Sequence, residues 1–313
     1  MIHSAGKYDP TAPFRIGHAL RQHHVRVVHV HGYKASILGG VAAKFGGRKL
    51  VKTEHGRPEP FTGWGRLKMK MNFWMEGAIS QRLVDSVIFV SRDIQKSLKG
   101  HYPKTPQTVI YNAIRPRDAV AADSVSRLEP EGVFRIGIVG RLTPIKGHDV
   151  LLRAVGRLEP KSGRKLHLYV FGEGHLEAAL RARSREQRIE DRVSFMGFRE
   201  GIHGYLRQLD ILAMPSFHEG IPYAALEAMN LGIPLVASDV GGLGEILENE
   251  VDALLVPPGD EEALAGAIER IASDAALRLR LGRAAQTKVN DRFLAPHMVD
   301  RYLEVYRQAV TRA

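Results

Sequence analysis

A regular alternation of strand and helix patterns runs through most of this 313-residue sequence. Short runs rich in β-branched and aromatic residues are each followed by a stretch with helical spacing, an order typical of parallel sheets covered by helices. The alternation breaks at residues 115–132, which are polar, charged and proline-bearing. The sequence therefore predicts two α/β units joined by a linker, and the length of the chain suits two domains.

The two predicted units differ in size, because fewer strands precede the break than follow it. The predicted strands are residues 25–32, 49–56, 86–91, 107–114, 134–141, 165–172, 192–198, 210–216, 234–238 and 253–258. Since a βα unit takes about 30 residues, the first unit is expected to lack two or three opening units. Ligands of such folds bind outside the carboxyl ends of the strands, so we expect the site in a cleft between the two domains.

The chain is strongly basic, with 45 Lys and Arg against 34 Asp and Glu, a formal net charge of +11 and a pI near 9.9. Such a charge suits nucleic acid, anionic lipid headgroups or phosphorylated small molecules as partners, although an ordinary solubilising surface is equally compatible. The absence of cysteine excludes disulfides and zinc-thiolate sites and fits a cytoplasmic location. No apolar run is long enough to predict a membrane-spanning helix.

The stretch HEGIPYAALEAMNLGIP, residues 218–234, contains a lone carboxylate in an apolar helix pattern. Glu227 is the only charged residue between Pro222 and Ser238. The pattern has no polar face, which predicts a helix buried on all sides, where an unpaired carboxylate is costly. Glu227 is therefore predicted to have a partner: a buried base, a pair of hydroxyls, a ligand or, alternatively, a core salt bridge.

A second carboxylate, Glu219, precedes the predicted start of that helix at Pro222. One interpretation is a capping box formed by Ser216 and Glu219. The other is a binding loop, because backbone N–H groups at Gly220 and Ile221 would lie at a helix N-terminus, where anions bind. Carboxylates beside N–H donors suit a ligand that is both polyhydroxylated and phosphorylated.

Three other strand ends carry candidate binding residues. Arg141 and Lys146 flank the loop after predicted strand 134–141, and two cations suit a diphosphate, although such charges are often only solvated. Gly172 begins a Gly-x-Gly turn, and Gly197 with Phe198 forms a second turn. Both turns also fit simple connections between strand and helix.

Histidines follow the strands of the first predicted unit. His55 ends predicted strand 49–56, while His29 and His31 share one face of predicted strand 25–32. A histidine facing a cleft could orient a reacting group. The alternative is a metal site formed by all three imidazoles.

Residues 218–242 resemble the E-x7-E signature of retaining glycosyltransferases of family 4, with Glu219 and Glu227 on its two glutamates. Residues 139–152 resemble the Gly-Arg…Lys-Gly motif of the same family, and the resemblance extends over residues 25–310. It implies a GT-B-like fold of two Rossmann-like domains facing a cleft. We expect a shortened N-terminal acceptor domain at 1–128, a nucleotide-sugar-binding domain at 129–290, and helices at 291–313 that pack back toward the first domain.

The resemblance also implies a role for each matched residue. Those implied in catalysis are His55, Arg141, Lys146 and Glu219. Those implied in binding the nucleotide-sugar are Arg141, Lys146, Gly172, Gly197, Phe198, Glu219, Gly220, Ile221, Pro222 and Glu227. In the family the second glutamate binds ribose hydroxyls, the first contacts the donor sugar, and the two cations bind the diphosphate. No metal ion or cofactor is required.

The sequence departs from the family pattern at its start and in its middle. The glycine-rich loop that opens the family's N-terminal domain is missing, so we expect a fragment, a late start or a reduced protein. Ala113 and Arg115 replace a glycine and an aspartate of the family's Asn-Gly-x-Asp motif.

The expected activity is transfer of a sugar, with retention, to a hydroxyl of a carbohydrate or lipid-linked acceptor in polysaccharide, lipopolysaccharide or glycolipid assembly. The aromatic and basic segment at 61–74 predicts docking on an anionic surface at the inner face of the plasma membrane. The alternatives are a non-catalytic nucleotide-sugar-binding protein and an epimerase or phosphorylase of the same architecture. Nucleic acid is not favoured as a partner, because no recognised motif for it occurs.

Overall fold

The computed structural model describes residues 11–56, 77, 81–116, 125–158 and 165–311, and of residues 33 and 34 only the backbone. The predicted membrane-docking segment 61–74 lies outside the described residues. The chain divides into two compact units, Met1–Tyr111 with Met298–Ala313, and Asn112–His297. The first unit ends at Tyr111, before the predicted limit at residue 128, and Asn112 is already bonded to Ile221 of the second unit.

The first unit contains a parallel sheet with the order β1-β2-β3-β4 in the described residues. Its elements are α1 (Ala12–Gln22), β1 (Val27–His31), α2 (Tyr33–Phe45), β2 (Lys49–Glu54), β3 (Ser86–Phe89), α3 (Arg92–Leu98) and β4 (Gln107–Val109). Val30, Leu50 and Phe89 lie on one face of this sheet, where they form a core with Ile94 and Leu98 of α3. Strand β4 is shorter than the predicted 107–114.

The second unit contains a six-stranded parallel sheet with the order β10-β9-β8-β5-β6-β7. Its strands are β5 (Phe134–Val139), β6 (Leu166–Phe171), β7 (Val193–Gly197), β8 (Ile211–Met214), β9 (Leu235–Ser238) and β10 (Ala253–Val256). Its helices are α4 (His148–Arg157), α5 (Glu177–Glu186), α6 (Ile202–Leu206), α7 (Tyr223–Leu231), α8 (Leu243–Ile246), α9 (Glu261–Ser273) and α10 (Ala275–Arg292). Strands β6, β8 and β9 are buried along their whole length, as expected for a parallel sheet covered on both faces.

The strand order of the second sheet reverses between β5 and β8. From β5 the chain builds outward through β6 and β7, then returns to β8 on the other side and builds outward again. Helices that follow neighbouring strands on the two sides of such a point diverge and leave a crevice at the carboxyl ends of the strands. The loops after β5 and β8 therefore flank the position where this fold binds ligands, and these loops carry two of the predicted motifs.

The last helix, α11 (Ala295–Thr311), returns the chain to the first unit. Its buried Val305 and Ala309 form a core with Val51, Ile88 and Ile110 on the second face of the first sheet. Among the described residues, no helix combines the length and the apolar content that crossing a membrane requires.

Candidate functional site

The loops after β5 and β8 contact each other directly. The Phe217 N–H donates to the carbonyl of Ile145 at 2.8 Å. Gly147 has a φ of +70°, and an added Cβ would overlap the carbonyl oxygen of Pro215. The Arg141–Lys146 loop and the Glu219 loop, which the sequence identified separately, are thus adjacent in the structure.

Lys146 and Glu219 form an ion pair across these loops. The Lys146 Nζ donates to both carboxylate oxygens of Glu219, at 2.7 and 2.9 Å. The Ser216 hydroxyl donates to the same carboxylate at 2.7 Å. Glu219 is 7% exposed and Ser216 2% exposed, whereas the Lys146 side chain keeps 23% exposure. The carboxylate is therefore compensated from within the protein by a lysine whose side chain stays partly exposed.

This arrangement replaces the capping box that the spacing of Ser216 and Glu219 allowed. A capping box requires bonds from both side chains to backbone N–H groups. Ser216 instead bonds the Glu219 carboxylate, and α7 begins later, at Tyr223, with Pro222 as its N-cap and no side-chain cap.

The backbone of the Glu219 loop is held at three successive carbonyls. The Gly242 N–H donates to the Glu219 carbonyl at 2.9 Å. The Gly220 carbonyl packs against Gly242, where an added Cβ would overlap it. The Asn112 amide donates to the Ile221 carbonyl at 2.7 Å. Because C=O and N–H of a trans peptide point in opposite directions, the N–H groups of Gly220 and Ile221 point away from Gly242 and can meet an anion.

A cavity of about 360 Å³ opens at the carboxyl ends of β5, β6 and β7. This volume is within the range of about 300–1,000 Å³ that is usual for small-molecule sites. The lining residues are Val139, Gly140, Arg141, Phe171, Gly172, Glu173, Phe198, Arg199 and Ile202. The walls are thus apolar or glycine, with charged groups among them.

The position of Gly172 explains the shape of this cavity. Its φ is +131°, and an added Cβ would overlap the carbonyl oxygen of Gly140. Strands β5 and β6 can therefore end side by side only with glycine at this turn. Phe198 is 67% exposed at the opposite wall, and its N–H donates to Glu173 Oε1 at 3.4 Å. The cavity presents an open aromatic ring and a carboxylate to a ligand.

Glu227 is less buried than the sequence predicts. Its side chain is 20% exposed, and His203 Nε2 on α6 lies 3.5 Å from its carboxylate. Tyr223, Ala224 and Glu227 lie on one stripe of α7 that is not buried, so the helix is not enclosed on all sides. Burial raises the pKa of Glu227, and nearby His203 acts in the opposite direction. No internal Arg or Lys is paired with Glu227 among the ion pairs of the described residues.

The three predicted histidines lie together in the first unit. His31 Nδ1 and His55 Nε2 are hydrogen bonded at 2.7 Å. The two ring nitrogens of His29 bond Tyr306 Oη at 2.6 Å and Thr53 Oγ1 at 2.7 Å. The imidazoles therefore do not converge on one point, and within the described ranges no three His, Cys, Asp or Glu could hold a metal ion.

The surroundings of all three histidines lower their pKa values, which favours the neutral imidazole. Burial, and then the neighbouring His31 and His55, lower the pKa of His29 to about 4. Burial lowers the pKa of His31. Burial and His31 lower the pKa of His55 against the opposing effect of Glu54.

The structure thus brings together the candidates of the second unit in two groups. Lys146, Glu219, Gly220, Ile221 and Pro222 lie in the two loops at the strand reversal; Arg141, Gly172, Gly197 and Phe198 lie at or beside the cavity. The direct bond between Lys146 and Glu219, the contact of His203 with Glu227 and the position of Glu173 in the cavity are not evident from sequence.

Solved structures of similar fold cover nearly the whole chain. A structure of Anabaena Alr3699/HepE in complex with UDP-glucose has a TM-score of 0.81 and 22% sequence identity, and the match covers 98% of this chain and 84% of that one. A glycosyltransferase from Rickettsia africae has a TM-score of 0.79 and 19% identity, and the match covers 100% and 85% of the two chains. These likenesses confirm the GT-B-like fold.

Family models assign both halves of the sequence. Residues 1–118 match Glycosyltransferase Family 4, and residues 133–274 match Glycosyl transferases group 1. Each half of the chain is therefore similar to a family of glycosyltransferases. The motif-bearing loops at 140–147 and 215–222 both lie within the second match.

The curated relatives of this chain include several glycosyltransferases. The lipopolysaccharide core biosynthesis glycosyltransferase LpsD of Rhizobium meliloti is 29% identical over 73% of this chain and 65% of its own length. A UDP-Gal:alpha-D-GlcNAc-diphosphoundecaprenol alpha-1,3-galactosyltransferase of Escherichia coli is 25% identical over 92% and 76%. The chain spans only 59% of a D-inositol 3-phosphate glycosyltransferase of Stackebrandtia nassauensis, at 31% identity. It therefore covers less than two thirds of the length of several relatives.

Proposed function

We propose that this protein transfers a sugar from a nucleoside-diphosphate-sugar to an acceptor hydroxyl, with retention at the anomeric carbon, in polysaccharide, lipopolysaccharide or glycolipid assembly. The observation that carries the proposal is the Lys146–Glu219 pair at the strand reversal, with two N–H donors beside it. The relatives named above and the UDP-glucose in the Anabaena structure support the same chemistry.

The chemical task of the site is to stabilise the leaving diphosphate. Negative charge builds on that group as the bond to the sugar breaks, so fixed positive groups lower the barrier. Arg141, the partly buried Lys146 and the N–H groups of Gly220 and Ile221 would supply them. Glu219, whose carboxylate also accepts a bond from Ser216, fixes the position of Lys146 before the donor arrives, which removes a cost of reorganisation.

The rest of the donor fits the remaining groups of the second unit. A nucleobase would enter the cavity lined by Gly172 and Phe198, and Gly197 would keep the turn beside it open. Ribose hydroxyls would donate to Glu227, whose partial burial favours a neutral hydrogen-bonding partner. His55 of the first unit is proposed to act on the sugar or the acceptor.

The acceptor is proposed to be a carbohydrate or a lipid-linked carbohydrate at the cytoplasmic face of the plasma membrane. The support is the chemistry named for the galactosyltransferase relative, together with the basic and aromatic composition of residues 61–74. Pelleting with vesicles of anionic and neutral lipid at two salt concentrations tests the membrane part. Binding that is equal for both lipids and independent of salt would contradict it.

Substitution of Lys146 tests the donor site. We expect Lys146→Met to lower the affinity for UDP at least tenfold and to abolish transfer from UDP-sugars, because the principal cation beside the diphosphate is lost. The measurements are titration calorimetry with UDP and a radiolabelled transfer assay with a panel of donors. Lys165→Met, at an exposed lysine of the same unit, is the control and should leave UDP affinity unchanged.

A second variant separates binding from folding. Lys146→Met leaves the buried Glu219 without its cation, which itself destabilises the loop. The double variant Lys146→Met, Glu219→Gln keeps the site neutral and should fold while still failing to bind UDP. Wild-type affinity in the double variant would refute the role of Lys146. UDP binding by the wild-type protein without transfer would identify a nucleotide-sugar-binding protein, and inversion of the sugar without transfer would identify an epimerase.

A further inference from the structure

Asn112 occupies a position that the proposed mechanism does not use. It is the first residue of the second unit and directly follows Tyr111 of the first. Its side chain is 8% exposed, and its amide nitrogen donates to the Ile221 carbonyl at 2.7 Å. This short bond joins a buried amide at the start of the second unit to the Glu219 loop, which lies 109 residues further along the chain.

The Ile221 carbonyl lies in a stretch that cannot form the backbone hydrogen bonds of a helix. Ile221 precedes Pro222, which has no N–H and disfavours helical backbone in the residue before it. The helix begins only at Tyr223, so the loop carbonyls obtain no bonds from within α7. Gly242 bonds or contacts the first two carbonyls, and Asn112 bonds the third.

The orientation of these carbonyls decides where the N–H groups of the loop point. The Ile221 C=O and the Ile221 N–H belong to successive peptide planes that share the Ile221 Cα. A bond that fixes the carbonyl plane therefore restricts the φ and ψ angles through which the plane carrying the N–H can turn. We propose that Asn112 is a positioning residue, whose bond to Ile221 holds the N–H groups of Gly220 and Ile221 in the orientation that binds the diphosphate of the donor. This inference rests on the proposed function and adds to it a residue outside the two loops.

An amide suits this position better than the alternatives. Asparagine donates without carrying a charge, so it leaves the field of the Lys146–Glu219 pair unchanged. An ionised aspartate would have the same shape but would place a carboxylate against the Ile221 carbonyl, with no proton to share. Alanine would leave that carbonyl without its donor.

The chain offers a matched control at Asn230. Its amide also is buried, at 2% exposure, and also donates to a backbone carbonyl, that of Arg115, at 3.3 Å. Both bonds tie residues 112–115 at the start of the second unit to later parts of that unit, but only that of Asn112 reaches the Glu219 loop. Asn230→Ala therefore removes a similar structural contact and leaves the proposed positioning contact intact.

The experiment compares Asn112→Ala, Asn112→Asp and Asn230→Ala with the wild-type chain. We expect UDP affinity at pH 8 to fall about tenfold in Asn112→Ala and further in Asn112→Asp, and to stay within twofold in Asn230→Ala. Relative to wild type at each pH, Asn112→Asp should regain affinity towards pH 5.5, because a protonated carboxyl can donate to Ile221. Melting temperatures measured in parallel show what folding alone contributes.

Hydrogen exchange provides a readout that requires no ligand. In Asn112→Ala, peptides that contain residues 218–226 should exchange faster, while the same peptides in Asn230→Ala should match wild type. Unchanged exchange together with unchanged UDP affinity in the Asn112 variants would overturn the inference, and so would an equal loss in Asn230→Ala. If the wild-type chain does not bind UDP or UDP-glucose, the proposed function fails, and hydrogen exchange still decides whether Asn112 orders the loop.

Discussion

The buried histidine at the start of α4 predicts that acid destabilises the second unit. His148 is 3% exposed, and neither ring nitrogen has a hydrogen-bond partner among the described residues. Burial, and then the nearby Lys146, lower the pKa of His148 from 6.5 to about 4. Between about pH 4 and pH 6.5 the folded protein therefore keeps this imidazole neutral, whereas the same imidazole in the unfolded chain binds a proton.

The size of the effect follows from these two pKa values. The pKa is lower in the folded state, so stability is fully present above about pH 6.5 and is lost as the pH falls towards 4. Integration of proton binding between pH 7 and pH 5 yields a loss of about 2 kcal/mol from this one residue. Because the side chain is almost entirely buried, solvent screening reduces this value little.

The assay is urea denaturation followed by far-UV circular dichroism at pH 7 and pH 5. His148→Leu removes the titrating group, so its free energy of unfolding should fall by about 2 kcal/mol less between the two pH values than that of wild type. The difference between pH values cancels any constant effect of the substitution on packing. His175→Leu, at an exposed histidine of the same unit, should keep the acid sensitivity of wild type. Equal acid losses in wild type and His148→Leu would refute the reasoning.

Three further substitutions test other contacts. Gly242→Ala should lower UDP affinity about tenfold in calorimetry, because the added Cβ overlaps the Gly220 carbonyl; unchanged affinity would show that the loop does not depend on this contact. Lys288→Met should cost about 3–5 kcal/mol of unfolding free energy in urea, since it leaves the fully buried Asp252 without its cation, and a loss below 1 kcal/mol would contradict this. Tyr306→Phe should cost about 1 kcal/mol in the same assay through loss of its bond to His29, and a stabilised variant would argue against that bond.

The periodicity of the sequence was sufficient to predict the fold. Each predicted strand is present. The strands form parallel sheets, because this is the common arrangement of alternating βα units. The adjacency of the loops after β5 and β8 depends on strand order, which periodicity does not contain. Lys146 and Glu219 could be predicted as site residues one at a time, but their bond spans 73 residues of sequence and depends on that order.

Local patterns misled where neighbouring elements decide the outcome. The apolar composition around Glu227 predicts full burial, yet its stripe of α7 is left partly open beside α6. The spacing of Ser216 and Glu219 fits a capping box, but Pro222 delays the helix, and the Glu219 carboxylate instead accepts bonds from Ser216 and Lys146. The bond from Asn112 to Ile221 was not evident because its acceptor is a backbone carbonyl, which leaves no trace in residue types.

The return of α11 to the first unit has a consequence for how the chain folds during synthesis. The second unit is continuous in sequence and can fold as soon as residues 112–297 have left the ribosome. The first unit must wait, because the sheet face formed by Val51, Ile88 and Ile110 is covered by residues translated after the whole second unit. Until α11 has been translated, that apolar face is exposed, and it can bind chaperones or aggregate. A stop codon shortly before Met298 would leave the face exposed permanently.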